Sequence, residues 1–224
     1  DFFQGDVNRR EQVAHVFNHE KIDYVFHAAA VVGVKRVEED PLGVLRDVDG
    51  IRNVLEFSRE HGVKKVVFCS SSEAYGEPQT LPEREDGPIN PNPRDPYALV
   101  KLHGENLVRI YAEKMGLAGC SLRYFNVYGP RQESSAYGFV TGIFINQVLQ
   151  GQAPTIFGDG TQTRDFVYVD DNVEANIRAM IRDETGAGEV INIGSGRQTT
   201  ILDLAERVIK LSGQNLKPVL LPQR

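Results

Sequence analysis

Short, almost unbroken runs of valine, isoleucine and phenylalanine alternate with longer stretches of helical periodicity, and this alternation constrains the fold most. "YVFHAAAVV" (24–32) reads as a buried strand passing into a loop. "DPLGVLRDVDGIRNVLEFSREHG" (40–62) starts with Asp at a cap and Pro at the first helical position, and Gly62 stops it. Its Leu42, Leu45, Val48, Ile51 and Leu55 recur at helical spacing. "KKVVFCSSS" (64–72) is again a strand, residues 96–115 form a helix between Asp95 and Gly116, and "CSLRYFNVYG" (120–129) is a strand with its exit loop. Strands without polar alternation are buried on both faces. Separated by helices, they imply an α/β fold with a doubly wound parallel sheet. Right-handed crossovers then gather the carboxyl ends of the strands along one edge, where ligands bind in such sheets.

After Pro130 the texture changes. "RQESSAYG" (131–138) reads as a flexible segment. Then come a helix at about 139–150, a strand at 155–157, a Gly-rich turn at 158–164, a strand at 165–169, a helix at 171–182, a strand at 189–193 and a helix at 201–212. Thr200 and Asp203 have the spacing of a variant capping box. No strand–glycine loop–helix unit for a pyrophosphate is found, and "DFFQGDVNRREQV" reads as a strand end followed by a helix. The expectation is a chain missing its first βαβ portion, which roughly 50–60 residues would restore.

The 224 residues are 41% hydrophobic and 25% charged, an ordinary globular composition. A net charge of −6 without a basic stripe argues against nucleic acid as a partner. No apolar run approaches a membrane span, and no signal peptide is expected. Two cysteines, Cys69 and Cys120, lie in apolar stretches and suit a reducing cytoplasm rather than a disulfide scaffold. The five histidines show no metal-ligand clustering, so no metal is expected.

Chemistry concentrates just beyond the strands. In "DPYALVK" (95–101), Tyr97 and Lys101 stand at i and i+4 and so share a helix face. A phenol with a pKa of about 10 is a poor base near neutrality, and an adjacent ammonium lowers that value. The spacing alone is weak evidence in a chain with eight tyrosines. In "VVFCSSSEAYG", Ser70, Ser71 and Ser72 follow a strand directly. A serine there can hydrogen-bond a reacting hydroxyl, or it can cap backbone groups of a turn.

Together with "GDV" (5–7), "HAAA" (27–30), "SSSEAYG" (70–76), "PYALVK" (96–101), "RYFNVYGPRQ" (123–132), "FGDGTQTRDFVYVDD" (157–171) and "INIGSG" (191–196), the chain resembles the extended short-chain dehydrogenase/reductase family of nucleotide-sugar epimerases and dehydratases. The resemblance implies a Rossmann-type NAD-binding domain over 1–130 and a mainly substrate-binding domain over 131–224, with about 158–182 returning to the first. It implies Tyr97 as base, Lys101 as ribose ligand and tuner of Tyr97, and Ser71 as hydroxyl partner. Asp6 and Val7 would meet the adenine, Ala28, Ala29 and Ala30 would let the cofactor approach the backbone, and Tyr124 and Phe125 would pack near the nicotinamide. Ser71, Ser72, Asn126, Val140, Thr141, Thr155, Phe157 and Arg164 would bind the nucleotide sugar. Blander readings stand beside these: Asp6 as a helix cap, Phe157 as core, Arg164 as an ion pair with Asp165.

Two residues depart from the family pattern. Asp47 and Ile51 replace the usual Asn and Thr in "RDVDGIRNV". A carboxylate near a dinucleotide needs an explanation. The activity implied is an NAD-dependent 4-epimerase acting on a UDP-sugar. Glu73, two residues beyond Ser71, is the point in favour of a dehydratase or decarboxylase. A non-catalytic module of the same fold is the alternative from another class. The helices at 40–62 and 96–115 resemble those that pair in a family homodimer.

Overall fold

The computed structural model describes residues 1–90, 95–135 and 137–222. In chain order the elements are α1 (Arg10–His19), β1 (Tyr24–His27), α2 (Val34–Glu39), α3 (Pro41–Glu60), β2 (Lys65–Ser71), a 3-10 turn (Ser72–Tyr75), α4 (Pro96–Met115), β3 (Gly119–Tyr124), β4 (Asn126–Tyr128), α5 (Val140–Leu149), β5 (Thr155–Phe157), β6 (Thr163–Arg164), β7 (Phe166–Tyr168), α6 (Val169–Ile181), β8 (Ala187–Ile193), β9 (Thr199–Thr200), α7 (Ile201–Ser212) and β10 (Val219–Leu221). None of the helices described is long and apolar enough to cross a membrane.

The chain divides into two compact units. The first comprises Asp1–Val32, Arg36–Tyr124 and Asn172–Ile193. Its core is a four-stranded sheet in the order β1-β2-β3-β8, parallel throughout. The parallel α/β expectation therefore holds. The alternating pleat sends Val66 and Phe68 into a cluster with Val44, Ile51, Leu55 and Val108 of α3 and α4, while Val67 joins Cys120, Leu122 and Ala179 on the opposite face. Cys69 and Cys120 are free thiols.

The second unit comprises Gly33–Lys35, Phe125–Asp171 and Gly194–Arg224. Three small two-stranded pairings, β4–β7, β5–β10 and β6–β9, accompany a core of Phe144, Ile156, Ile201 and Ala205. The expected domain limits need correction. The break falls after Tyr124 rather than at 130, and the returning segment is 172–193 rather than 158–182. Pairing decides both points. β3 ends where Tyr124 pairs with Ile193, whereas the Asn126 amide donates to the Asp165 carbonyl and begins the β4–β7 ladder. The single strand expected over 120–129 is thus two strands in different units.

Local signals account for the starts of α3, α4 and α7 and for the end of α4. The Asp40 carboxylate accepts from the Gly43 amide ahead of Pro41, and Asp95 accepts from the Tyr97 and Ala98 amides ahead of Pro96. Gly116, at φ 72°, closes α4 in the left-handed region that glycine enters without a Cβ penalty. Thr200 supplies one half of the capping box by accepting from the Asp203 amide at 2.9 Å. The buried face of α3 differs from the expected one. Leu42 and Leu45 are exposed, and the inward stripe runs through Val44, Asp47, Ile51, Val54 and Leu55. A polar Asp47 on that stripe disguises it in the sequence. Residues 1–6 form no strand. The residues described in 131–138 form neither strand nor regular helix, and Ala136 lies outside them.

Gly104 sets the depth at which α4 sits on the sheet. A Cβ there would lie 2.7 Å from Phe68 Cε1 and 3.0 Å from Ile51 Cδ1. Gly104→Ala is therefore expected to overpack the core and cost about 1–3 kcal/mol, measured by urea unfolding. His27, 5% exposed and stacked on Phe68 at 5.9 Å, is held neutral: burial, aided by the Lys101 charge, lowers its pKa to about 4. An unfolded histidine binds a proton near 6.5, so the native state loses stability as pH falls from about 6.5 towards 4. This contribution, about 3 kcal/mol at full extent, is fully present above the unfolded value. His27→Phe is expected to flatten the pH dependence of the urea midpoint across that window.

Candidate active site

Three side chains of α4 at four-residue intervals, Tyr97, Lys101 and Glu105, meet the carboxyl end of β2. The Tyr97 phenol faces Ser71, whose hydroxyl is near enough to lower the pKa of the phenol. Lys101, 4% exposed, donates through Nζ to the Cys69 carbonyl at 2.7 Å, and lies 5.1 Å from the Phe68 ring centroid and 5.4 Å from that of Tyr97. Glu105 accepts from Ser70 Oγ at 2.6 Å. Ser71 also takes up the turn-capping role that the sequence left open, since its Oγ accepts from the Glu73 amide at 3.2 Å at the start of the 3-10 turn. Ser70 is committed to the interior, and Ser72 is the half-buried first residue of that turn.

Burial governs the electrostatics of this group. It is the largest effect on Tyr97 and pushes the phenol up to about 12, against the lowering by Ser71; the charges of Glu73 and Asp95 raise it further. The expectation of a phenol already lowered by Lys101 is corrected accordingly. Burial also lowers Lys101, whereas Asp47 and Glu105 favour its charged form. Exposed Glu73 stands near enough for its charge to be felt at both Tyr97 and Glu83.

The remaining expected residues of this unit line other elements. Asp6 accepts from the Asn8 amide at 2.9 Å in the turn leading to α1, which is a form of the helix-start role the sequence allowed. The Val7 carbonyl accepts from Asn53 Nδ2 at 3.0 Å. Ala28 and Ala29 are exposed and Ala30 is half-buried just past β1. The Tyr124 ring packs with the cluster on the α6 side of the sheet, its hydroxyl 2.8 Å from Asn176 Oδ1, and burial raises its pKa.

In the second unit, Phe125 is half-buried between β3 and β4. Asn126 donates through Nδ2 to the Asp165 carbonyl at 3.2 Å. Val140 opens α5 with buried Thr141 next to it. Thr155 is clamped by Gln147, accepting from Nε2 at 2.9 Å and donating its amide to Oε1 at 3.2 Å. Phe157 is 38% exposed, so it is not plain core. Arg164 is exposed and donates to the Thr163 carbonyl at 2.8 Å, while Asp165 turns instead to the amides of Ser195 and Gly196 and to Ser195 Oγ.

Sequence reasoning missed Asn8, Glu105 and Arg123. Asp47 departs from the family pattern yet is well accommodated. It is buried, with Oδ2 accepting from the Val31 amide at 2.6 Å and Oδ1 3.4 Å from Asn8 Nδ2. Its carboxylate thus anchors the loop after β1. The spacing of Glu105, four residues past Lys101, was the available signal for that residue. Arg123 carried none, being one charge inside an apolar strand.

The family model described as NAD dependent epimerase/dehydratase family matches residues 1–194. The chain belongs to that family. It is 40% identical over 207 residues to a putative UDP-glucose 4-epimerase of Methanocaldococcus jannaschii, covering 91% of this chain and 65% of the relative. It is 42% identical over 205 residues to a UDP-N-acetyl-alpha-D-glucosaminuronate decarboxylase of Bacillus cytotoxicus, covering 89% and 62%. The chain therefore spans somewhat under two thirds of the length of these curated relatives. The crystal structure of a Thermotoga maritima UDP-glucose 4-epimerase with UDP-glucose matches with a TM-score of 0.93 at 37% identity, over 100% of this chain and 72% of that one. A Thermus thermophilus UDP-glucose 4-epimerase in complex with NAD matches at 0.88 and 34% identity, over 100% and 72%.

The residues present fit NAD. Side chains no larger than methyl follow β1, and a buried ammonium with three N–H donors gives one to Cys69. Asp47→Ala is expected to lower stability by about 1–3 kcal/mol by leaving the Val31 amide without its acceptor, and Asp47→Asn by clearly less because an amide oxygen can replace it, both read from urea midpoints.

Proposed function

We propose that this chain carries the catalytic residues of an NAD-dependent nucleotide-sugar 4-epimerase acting on a UDP-sugar. The observation that carries this reading is the Tyr97 phenol close enough to Ser71 for the serine hydroxyl to lower its pKa, with the Lys101 ammonium 5.4 Å from the Tyr97 ring centroid on the same helix stripe. NAD, when bound, would accept a hydride from C4 of the sugar and return it. The side chains handle the proton. Ser71 orients the C4 hydroxyl, and Tyr97 takes its proton as the carbon is oxidised and gives it back as the carbon is reduced. Lys101 holds the ribose and keeps positive charge beside the phenol. Burial holds this phenol high, and the positive charge of Lys101 and of the bound cofactor would act to bring it down. Asp6, Val7 and Ala28–Ala30 would line the cofactor, and Tyr124 and Phe125 would stand towards its nicotinamide end. Asn126, Val140, Thr141, Thr155, Phe157 and Arg164 would take the nucleotide diphosphate. The reading includes a homodimer through α3 and α4, where Leu42, Leu45 and Ile110 are exposed.

A second reading, decarboxylation or dehydration with Glu73 as an additional acid or base, is favoured by the effect of Glu73 on Tyr97 and by the decarboxylase relative. Incubation of a full-length version with NAD and UDP-glucose or UDP-N-acetylglucosamine, followed by NMR of the sugar, separates the two. Inversion at C4 is the expected result. A 4-keto-6-deoxy product, or carbon dioxide released from a UDP-uronic acid, would give the assignment to Glu73 chemistry. Tyr97→Phe is expected to lower kcat by about 10²–10⁴-fold while NAD stays bound; unchanged turnover would remove Tyr97 from the role of base.

A further inference from the structure

We propose that Glu105 and Arg123 are positioning residues for the Tyr97–Ser71 pair, clamping the helix that carries the phenol onto the strand that carries the hydroxyl. The proposal rests on the epimerase reading above and names residues on which that site depends. Arg123 is 1% and Glu105 4% exposed. Arg123 donates through Nε to Glu105 Oε1 at 2.8 Å and through Nη2 to Oε2 at 2.7 Å. A two-point contact of this kind fixes distance and angle together.

The location of the pair gives it leverage. Ser70, which donates to the same Oε1 at 2.6 Å, is the register partner of Arg123 across β2 and β3. One carboxylate from α4 therefore ties two strands, one residue before Ser71. At the adjacent contact, the Phe68 ring fills the notch left by Gly104 and sets the depth of α4 on the sheet. The charged pair adds a directional two-point tie beside it. Arg123 also lies 4.2 Å from the ring centroid of Tyr75, the last residue of the turn that Ser71 caps. Tyr75 in turn donates to Asn192 Oδ1 at 2.8 Å on β8. Arg123 Nη1 makes no hydrogen bond among the described residues, a cost accepted for holding both Glu105 and the Tyr75 ring.

Stability alone does not account for such a pair, because apolar residues of similar volume are often neutral or stabilising in place of a buried salt bridge. That property makes the test possible. The double variant Glu105→Leu/Arg123→Met is expected to fold, to bind NAD as the parent does, and to keep KM for UDP-glucose within about twofold. Its kcat should fall about 10²-fold, the scale of a 1 Å misplacement. An independent readout needs no turnover: in protein with ¹³C-labelled tyrosine, the Tyr97 Cζ resonance is expected to move to its position in Ser71→Ala. A kcat within twofold of the parent with an unmoved resonance overturns the proposal. If the double variant fails to fold, Arg123→Lys keeps the charge but loses the fork, and a kcat and resonance unchanged there overturn it equally. A parent inactive on UDP-sugars would overturn the epimerase reading, and the Tyr97 resonance would still decide the positioning role.

Discussion

The approach of α4 to β2 is the contact on which the rest of the first unit depends. It brings a phenol, an ammonium and a carboxylate, all on one helix stripe, to successive points at the carboxyl end of one strand. Gly104 permits the approach, Phe68 fills the space it leaves, and the Asp95 cap with Pro96 fixes where the first helical turn begins. Shifting that turn by one residue would carry Tyr97 about 100° around the helix and away from Ser71. Backbone capping and core packing thus determine where the phenol and ammonium stand relative to Ser71.

Burial and charge oppose each other here. Excluding water raises the Tyr97 phenol and lowers Lys101, so burial disfavours the charged form of both. Nearby carboxylates contribute in opposite senses: Asp47 and Glu105 favour the charged lysine, whereas Glu73 and Asp95 disfavour the phenolate. The buried carboxylates around the site are satisfied internally, whereas Arg123 Nη1 has no partner among the described residues. Asp47 holds the loop after β1, and Glu105 holds Arg123 and Ser70. A substitution that first looks incompatible with a dinucleotide is compatible because a backbone amide already occupies its oxygen.

Much of this was legible in the sequence. Valine-rich strands between capped helices specified a parallel sheet, and the ordered motifs from "GDV" to "INIGSG" specified the family. The misreadings share a cause. β6, β9 and β10 are two or three residues long and carry no period of their own. The inward face of α3 includes a carboxylate, so a search for apolar residues favoured Leu42 and Leu45, which are exposed. The strand at 120–129 hides its break because both halves are apolar and only their pairing partners differ.

The sequence by itself determined the family motifs, the starts of α3, α4 and α7, and that the central strands of the parallel sheet are buried, because these follow from side-chain type and local spacing. Only the tertiary structure decided what each group touches: that Ser70 turns inward while Ser71 meets the phenol, that Arg123 finds Glu105, and that the chain passes between units after Tyr124. Those outcomes depend on strand register and on desolvation by residues distant in the chain, and no local pattern encodes either.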